Sequence, residues 1–202
     1  MISSEYCCSV FSQVIEKYHQ LNDVNTNYPW EFDEQDIHQM LSKKSWIDTV
    51  QWHLEDIIRR PDLDPQEFIQ TKRKIDASNQ DRTDLVEKMD EWFMQQIQNV
   101  KPTDQARLNS ETLAWAIDRL SILMLKIYHM DEQTQRKDAT VEHIHLCNQK
   151  LSILLMQKTD LCFSINNLIY ELQSGKAIMK LYRQMKMYND PSTNPELYKP
   201  TK

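Results

Sequence analysis

Polar and charged side chains interrupt an apolar helical pattern in the segment from residue 72 to residue 82. Asn79 lies one helical turn after Ile75, and Arg82 lies one turn before Val86, so both fall on the face that the pattern predicts to be buried. Burying such groups costs several kcal/mol unless each of them has a partner. Three interpretations stay open: an internally paired polar network, a ligand pocket between helices, and a solvated helix edge.

The ligand-pocket interpretation draws on polar residues of several predicted helices, because helical bundles place their binding sites between helices. The candidate ligand-binding residues are Lys72, Asp76, Asn79, Gln80, Arg82, Ser110, Asp118 and Arg119. The lysine and the arginines would bind phosphate oxygens, the arginines in a bidentate way. The carboxylates and the amide would orient these cations or accept protons from sugar hydroxyls. The predicted ligand is therefore a small anion or a sugar phosphate.

A histidine and a carboxylate favour acid–base chemistry in the same region. His53 and Asp56 are three residues apart and therefore share a helix face. If the protein is an enzyme, His53 is the candidate acid or base, and Asp56 or Asp76 would orient it or bind Mg²⁺, the candidate cofactor. A lone histidine on an apolar face is more often a hydrogen-bonded core residue, so a structural role competes with this assignment.

Two spacings typical of metal sites occur in the chain. Glu-x-x-His occurs at Glu16 and His19 and again at Glu142 and His145. Di-iron bundles use this spacing twice, but here both copies lie near helix ends, in an order that differs from the ferritin arrangement. Glu87 with Asp90, together with Glu55 and Asp56, is loosely similar to the Mg²⁺-binding carboxylate pairs of all-α nucleotide pyrophosphatases. Their second Glu-x-x-Glu is missing, so no metal-ligand set is predicted.

The composition excludes several function classes. The chain has 202 residues, one glycine and a formal net charge of −6, so it lacks a glycine-rich phosphate loop and is not expected to bind nucleic acid. The first residues do not resemble a signal peptide, and no apolar run approaches the roughly 18 residues of a membrane span. The four cysteines form no Cys-x-x-Cys pair. We therefore expect a soluble, cytoplasmic protein with reduced thiols.

The scarcity of glycine and the helical spacing of apolar residues predict an all-α protein. We expect an up-and-down helical bundle of four main helices, with a short accessory helix and an extended C-terminal tail. The predicted helices cover residues 4–21, 34–41 (the short one), 45–60 with Ser45 as N-cap, 65–99, 109 up to a loop at 131–138, and 139–189 with a kink near Gly175. The whole chain, residues 1–202, is assigned to one helical domain, with a core at about 4–189 and the tail at 190–202.

Several stretches, in one order, resemble the hallmark sequences of a bacterial family that is known as a domain of unknown function. They are residues 52–56 (WHLED), 75–82 (IDASNQDR), 109–112 (NSET), 117–123 (IDRLSIL), 188–191 (YNDP) and 194–195 (NP). The resemblance runs from about Phe11 to Tyr198. One departure is Leu113-Ala114, where members of the family often have Pro-Gly.

The resemblance implies no activity, because none is established for the family. Genes of the family lie near glycosyltransferase genes for cell-surface polysaccharide, which implies an accessory role in envelope glycan synthesis. Three functions stay open: a binding protein for a small anionic or sugar-phosphate ligand, a metal-dependent phosphohydrolase or enzyme of glycosyl chemistry that uses the same pocket, and a structural subunit that docks on a glycosyltransferase.

Overall fold

The computed structural model describes residues 2–188 and 190–199. These residues contain six helices and two short strands. The helices are α1 (Ser4–Leu21), α2 (Ile37–Ile57), α3 (Pro65–Gln96), α4 (Leu113–Thr134), α5 (Val141–Gln173) and α6 (Pro195–Tyr198). The strands are β1 (Arg107–Asn109) and β2 (Ala177–Met179). Because each strand has only three residues, the predicted all-α class is confirmed. Within the described residues, no helix is long and apolar enough to cross a membrane.

Short polar side chains start the five long helices. Each accepts a hydrogen bond from a backbone N–H of the first turn, which has no partner inside the helix. The capping residues are Ser3, Asp36, Asp64, Thr112 and Thr140. Asp64 and Pro65 start α3 at the predicted residue, because proline suits a first helical position whose N–H the helix does not use.

One continuous helix, α2, replaces the predicted short helix at residues 34–41 and the predicted helix that began at Ser45. Ser42 donates to the backbone carbonyl four residues earlier at 2.9 Å, and Thr49 does the same to Ser45 at 2.8 Å. Since these hydroxyls find partners within the helix, the polar residues do not interrupt it. Ser45 is therefore not an N-cap, and α2 carries Lys44 into the core.

α4 begins later than predicted, at Leu113, with Thr112 as its N-cap. A carboxylate of α3, Asp90, stabilises this start. Its two oxygens accept hydrogen bonds from the Thr112 hydroxyl at 2.5 Å and from the Ala114 N–H at 3.0 Å. Burial raises the pKa of Asp90 to about 6 in spite of these two hydrogen bonds, and the nearby Glu87 adds to the rise. Asp90, a residue of α3, thus helps to fix the position at which α4 begins.

α5 ends at Gln173, well before the predicted end at residue 189. The helix stops because Gly175 has a φ of +71°, and the chain then forms β2 instead of a kinked helix. The Gly175 carbonyl accepts a hydrogen bond from the Thr103 N–H at 2.9 Å, and β2 pairs in parallel with β1. A side chain at this glycine would collide with the Lys101 carbonyl oxygen. The strand pair therefore ties the connection between α3 and α4 to the end of α5.

α4 lies at the centre of the bundle. It contacts α1, α2, α3 and α5, and its inward residues Leu113, Ile117 and Leu120 are fully buried. Phe11 of α1 and Phe93 of α3 are also fully buried in the same core. Because α4 contacts every other long helix, polar groups on its inner face meet residues from several directions.

The chain after β2 runs back along α3. Arg183 pairs with Glu91 at 2.8 Å. Further along, Lys186 donates to the Asn79 carbonyl at 3.0 Å and to the Thr83 hydroxyl at 2.7 Å. These contacts hold the segment on the outer side of α3, antiparallel to it.

The predicted extended tail at residues 190–202 contains a short helix. Asn194 caps α6 and Pro195 is its first residue, so the same pair of signals that starts a long helix starts a single turn here. Residue 189, where the predicted core ends, and residues 200–202 lie outside the described residues.

Candidate functional site

Five polar side chains from three helices meet in the interior of the bundle. Lys44 and Asp48 lie on α2, Arg82 lies on α3, and Asp118 and Ser121 lie on α4. The Lys44 ammonium contacts both carboxylates and lies 2.9 Å from Asp118 Oδ1. Arg82 binds Asp118 bidentately, with Nε at 2.8 Å and Nη2 at 2.7 Å from its two oxygens. Ser121 donates to Asp48 at 2.6 Å. These five residues are the buried charge network.

The buried charge network is balanced in charge and almost closed to solvent. Two cations face two carboxylates, and the side chains of Lys44, Asp48 and Asp118 are 0%, 4% and 3% exposed. Arg82 is the most exposed of the four charged residues, at 24%. A buried charge that loses its partner is costly. The interpretation of Arg82 as part of an internally paired network therefore agrees with these contacts.

Burial and pairing act in opposite directions on the two carboxyl groups. Burial raises the pKa of Asp48, although Lys44 opposes the rise. Burial also acts on Asp118, but the hydrogen bonds from Arg82 and the nearby Lys44 hold its pKa below the ordinary value. The hydrogen bond to Asp118 raises the pKa of Arg82, so this guanidinium stays charged. Asp118 is thus the ionised anchor of the network, and Asp48 is the carboxyl group that takes up a proton more readily.

A cleft of about 290 Å³ opens beside the buried charge network, between α2, α3 and α4. Its polar lining comes from Asp48, Gln51, Glu55, Asp56, Arg59 and Arg82, and its apolar lining from Trp52, Ile122 and Leu125. Most of these residues lie on one face of α2, where spacings of three and four residues bring side chains together. The cleft therefore offers a ligand an aromatic ring, an apolar surface and both signs of charge.

Arg82 connects the buried charge network with the cleft. Its Nε and Nη2 donate to Asp118, whereas Nη1 makes no hydrogen bond within the described part of the chain. The other arginine of the cleft, Arg59, pairs with Glu55 and has a side chain that is 67% exposed. Of these two cations, Arg82 is the one that a buried carboxylate holds in a fixed orientation.

The other predicted ligand-binding residues of α3 lie in three different settings. Asn79 accepts a hydrogen bond at 2.9 Å from Gln51, which lines the cleft. Lys72 and Asp76 pair with each other outside the cleft lining, each with a side chain that is 52% exposed. Gln80 is half-buried and donates to a carboxylate of its own helix at 2.7 Å. The structure thus places Asn79 behind Gln51 of the cleft lining and leaves Lys72 and Asp76 on the solvent side of α3.

Two predicted residues near α4 lie apart from the cleft. Ser110 is exposed in the segment that precedes α4 and is not the N-cap, because Thr112 has that role. Arg119 is exposed and pairs with Glu111 at 2.9 Å. It follows Asp118 directly, and successive residues of a helix point in directions about 100° apart. One of the two therefore faces the core and the other faces solvent.

His53 lies outside the cleft lining and packs against two other histidines. Its Nε2 is 3.3 Å from His19 Nε2, and the third ring, His129, stacks on Trp52 with centroids 4.8 Å apart. These three histidines are the histidine cluster. Burial, and then the neighbouring histidines, lower the pKa of His53 to about 4, and burial lowers that of His129. Asp56, the predicted partner of His53, is exposed and lines the cleft.

Three residues of these clusters have no role in the sequence prediction: Lys44, Asp48 and His129. Lys44 and Asp48 have the i,i+4 spacing of a helical ion pair. The predicted helix begins at Ser45, however, so the prediction leaves Lys44 outside the helix and the pair is not recognised. His129 has no local signal, because its histidine partners lie far away in sequence, on α1 and α2.

The cysteines are free thiols. Cys8 Sγ of α1 lies 3.8 Å from Cys162 Sγ of α5. Burial, with a smaller contribution from neighbouring thiols, raises the pKa of Cys7 and Cys8 to about 12. Because the thiolate is both the nucleophile and the metal ligand, these two buried thiols are poor candidates for either role.

Comparison with known proteins identifies the family. The family model described as "Protein of unknown function (DUF4254)" matches residues 38–181, which is more than two thirds of the chain. The match extends from the first turn of α2 to just beyond β2 and includes the buried charge network and the cleft. No curated protein and no solved structure matches the chain. The predicted family resemblance is confirmed over residues 38–181, which leaves the motifs at 188–191 and 194–195 outside the match, and the chain belongs to the family of proteins of unknown function DUF4254.

Proposed function

We propose that the cleft binds a small anionic or sugar-phosphate ligand, and that the protein is a binding accessory of envelope glycan synthesis. The orientation of Arg82 carries the binding proposal. Asp118 holds two of its guanidinium nitrogens, and Nη1 is left to donate to an oxyanion in the cleft. A guanidinium that is already oriented loses little further freedom when it binds phosphate. The role in glycan synthesis rests on the family resemblance.

Other residues of the cleft suit the rest of such a ligand. Arg59 adds a second cation, although it also pairs with Glu55. Trp52 offers an apolar ring to the C–H groups of a sugar, and the carboxylate of Asp56 can accept hydrogen bonds from hydroxyls. These groups line one cleft, so a single ligand can contact all of them.

The size of the cleft narrows the ligand class. Ligand pockets commonly have volumes of roughly 300–1,000 Å³, and this cleft has about 290 Å³. A monosaccharide phosphate is therefore a better match than a nucleotide sugar, whose base and second phosphate need more space.

A thermal-shift titration tests the proposal with monosaccharide phosphates, inorganic phosphate and the matching neutral sugars. The variant is Arg82→Lys, which keeps a positive charge opposite Asp118 but removes Nη1. A sugar phosphate at 100 times its Kd should stabilise the wild type by about 2.7 kcal/mol. For a chain of this length, that raises the melting temperature by roughly 5–11 °C. We expect a much smaller rise for Arg82→Lys.

Arg119→Lys is the matched control, because it makes the same replacement at an exposed arginine outside the cleft. This variant should respond like the wild type. The proposal that the ligand binds in the cleft is wrong if Arg82→Lys also responds like the wild type. It is also wrong if no compound raises the wild-type melting temperature. Release of inorganic phosphate during the titration would instead support the alternative of a phosphohydrolase.

A second proposal, that the chain pairs with another copy of itself, rests on an exposed apolar stripe on α5. The stripe consists of Leu146, Ile153, Met156, Phe163 and Tyr170, which are between 48% and 68% exposed. Steps of three and seven residues join them, as along the seam of a coiled coil. Residue 158 is the midpoint in sequence between Leu146 and Tyr170. It is also the midpoint between Ile153 and Phe163. Two antiparallel copies of α5 would therefore place apolar residues opposite each other, so we assign the stripe to a second copy of the chain.

Sedimentation measurements test this assignment. The wild type should be a dimer, and Phe163→Glu should be a monomer because it places a charge in the stripe. Phe68→Glu is the matched control, since it makes the same replacement at a phenylalanine that is 47% exposed but lies on a different helix, α3. A monomeric wild type, or a dimeric Phe163→Glu variant, would rule out this use of α5. The predicted glycosyltransferase partner stays a prediction.

A further inference from the structure

The histidine cluster joins three helices: His19 lies on α1, His53 on α2 and His129 on α4. One ring nitrogen of each histidine lies within 4.8 Å of a ring nitrogen of the other two. The Nε2 atoms of His19 and His53 are 3.3 Å apart. Two nitrogens bound to one tetrahedral zinc ion are separated by about 3.3 Å, given Zn–N bonds of about 2.0–2.1 Å. Three imidazoles therefore come close to the spacing of a metal site.

The Nδ1 atoms of two of these rings already have partners. His19 Nδ1 donates to the Ile15 carbonyl at 2.7 Å, and His129 Nδ1 donates to the Glu132 carboxylate at 2.8 Å. In a neutral imidazole these bonds place the proton on Nδ1 and leave a lone pair on Nε2. Metal-bound histidines are usually oriented in this way, by a carbonyl or a carboxylate on the opposite nitrogen.

Hydrogen bonding within the cluster does not satisfy all three rings. His53 Nε2 can share one proton with His19 Nε2, at 3.3 Å. His129 Nε2 is buried and has no hydrogen-bond partner in the described part of the chain. A buried acceptor without a partner destabilises the fold. A cation that accepts its lone pair would remove this penalty.

We propose that His19, His53 and His129 bind one divalent metal ion of the zinc type, each through one ring nitrogen. Neutral imidazole suits zinc and its neighbours among the transition metals, whereas Mg²⁺ and Ca²⁺ prefer oxygen ligands. The ring nitrogens lie within 4.8 Å of one another and must approach to about 3.3 Å to reach tetrahedral geometry. Rotations of the side chains supply such a movement.

Two carboxylates near the cluster favour a cation there, and an aromatic ring links the cluster to the cleft. The carboxylates of Glu132 and Asp56 act electrostatically on both His53 and His129. Trp52 stacks on His129 with an interplanar angle of 10° and also lines the cleft. Three protein ligands leave the fourth tetrahedral position for water. The metal site goes beyond the proposed ligand binding at Arg82 and does not depend on it.

Titration of the full chain with metal alone tests the site. The purified protein is stripped with a chelator and titrated with Zn²⁺ by calorimetry and with Co²⁺ by absorption spectroscopy. We expect one ion per chain and a tetrahedral cobalt spectrum without a thiolate charge-transfer band. His129→Phe keeps a ring against Trp52 but removes the nitrogen, and it should weaken binding by about 100-fold or more. Glu132→Gln should weaken binding by roughly 10–100-fold, because it removes the charged partner of Nδ1.

His145→Phe is the matched control, since His145 is an exposed histidine of α5 outside the cluster. It should bind metal with the affinity of the wild type. Arg82→Lys should also bind metal with the wild-type affinity, so a failure of the metal site can be distinguished from a failure of ligand binding in the cleft. Absence of metal binding by the wild type overturns the proposal. Equal affinities of His129→Phe and the wild type overturn it as well, and a thiolate band would assign the metal to the cysteines. If His129→Phe does not fold, Glu132→Gln decides between the same outcomes.

Discussion

Replacement of Asp118 by asparagine tests whether the buried charge network holds the bundle together. The change keeps the size of the side chain but removes the negative charge that Lys44 and Arg82 share. Contacts of 2.9, 2.8 and 2.7 Å from these two cations end on the Asp118 carboxylate. After the change, two cations would face the single carboxylate of Asp48, and one positive charge would be buried without compensation.

The expected loss follows from this imbalance. Breaking a buried ion pair by removing one partner costs about 3–5 kcal/mol. A domain is stable by only about 5–15 kcal/mol, so Asp118→Asn should lose a large part of the free energy of unfolding. For a chain of this length, the melting temperature should fall by roughly 6–20 °C.

Urea unfolding and calorimetry measure this loss. The matched control is Asp76→Asn, the same change in the exposed ion pair with Lys72, where we expect a loss of about 0–1 kcal/mol. If Asp118→Asn costs no more than Asp76→Asn, the reasoning about the network is wrong. Adding Lys44→Met to Asp118→Asn leaves Arg82 opposite one carboxylate, so the double variant should lose less than the sum of the single losses.

Two further predictions concern the backbone and pH. Gly175→Ala should lower the free energy of unfolding by about 1–3 kcal/mol, because the φ of this residue is +71° and a Cβ would collide with the Lys101 carbonyl oxygen. A melting temperature equal to that of the neighbouring variant Ser174→Ala would contradict this prediction. The pKa of Asp90 in the fold, about 6, lies above that of the unfolded chain, because burial and the nearby Glu87 oppose its charge. Protonation of Asp90 therefore stabilises the fold below pH 6, and this contribution is lost as pH rises through 6. Relative to Asp90→Asn, the wild type should gain about 1 kcal/mol between pH 7 and pH 5, and parallel pH profiles would refute the assignment.

The helical class and several helix starts could be predicted because they depend on residues close in sequence. Asp64 and Pro65 start α3 through contacts within one turn. The prediction was wrong where a distant residue decides the local structure. Lys44 and Ser45 lie within α2, and Lys44 is buried because Asp118 of α4 supplies the opposite charge. Gly175 ends α5 with a φ of +71°, and it is the distant Lys101 carbonyl oxygen that leaves no room for a side chain there.

For the candidate site, the sequence alone indicates which polar residues need an explanation. Arg82 and Asp118 stand on or beside apolar stripes, and a charge in such a place must have a partner. The partners of Arg82 and Asp118 follow from the packing of the helices, which leaves two other predicted residues, Lys72 and Arg119, in exposed ion pairs. The sequence drew attention to His19 and His53 separately, but no pattern joins them to each other or to His129. The histidine cluster exists because α1, α2 and α4 pack together, and packing brings together residues whose separation along the chain carries no information about their distance in space.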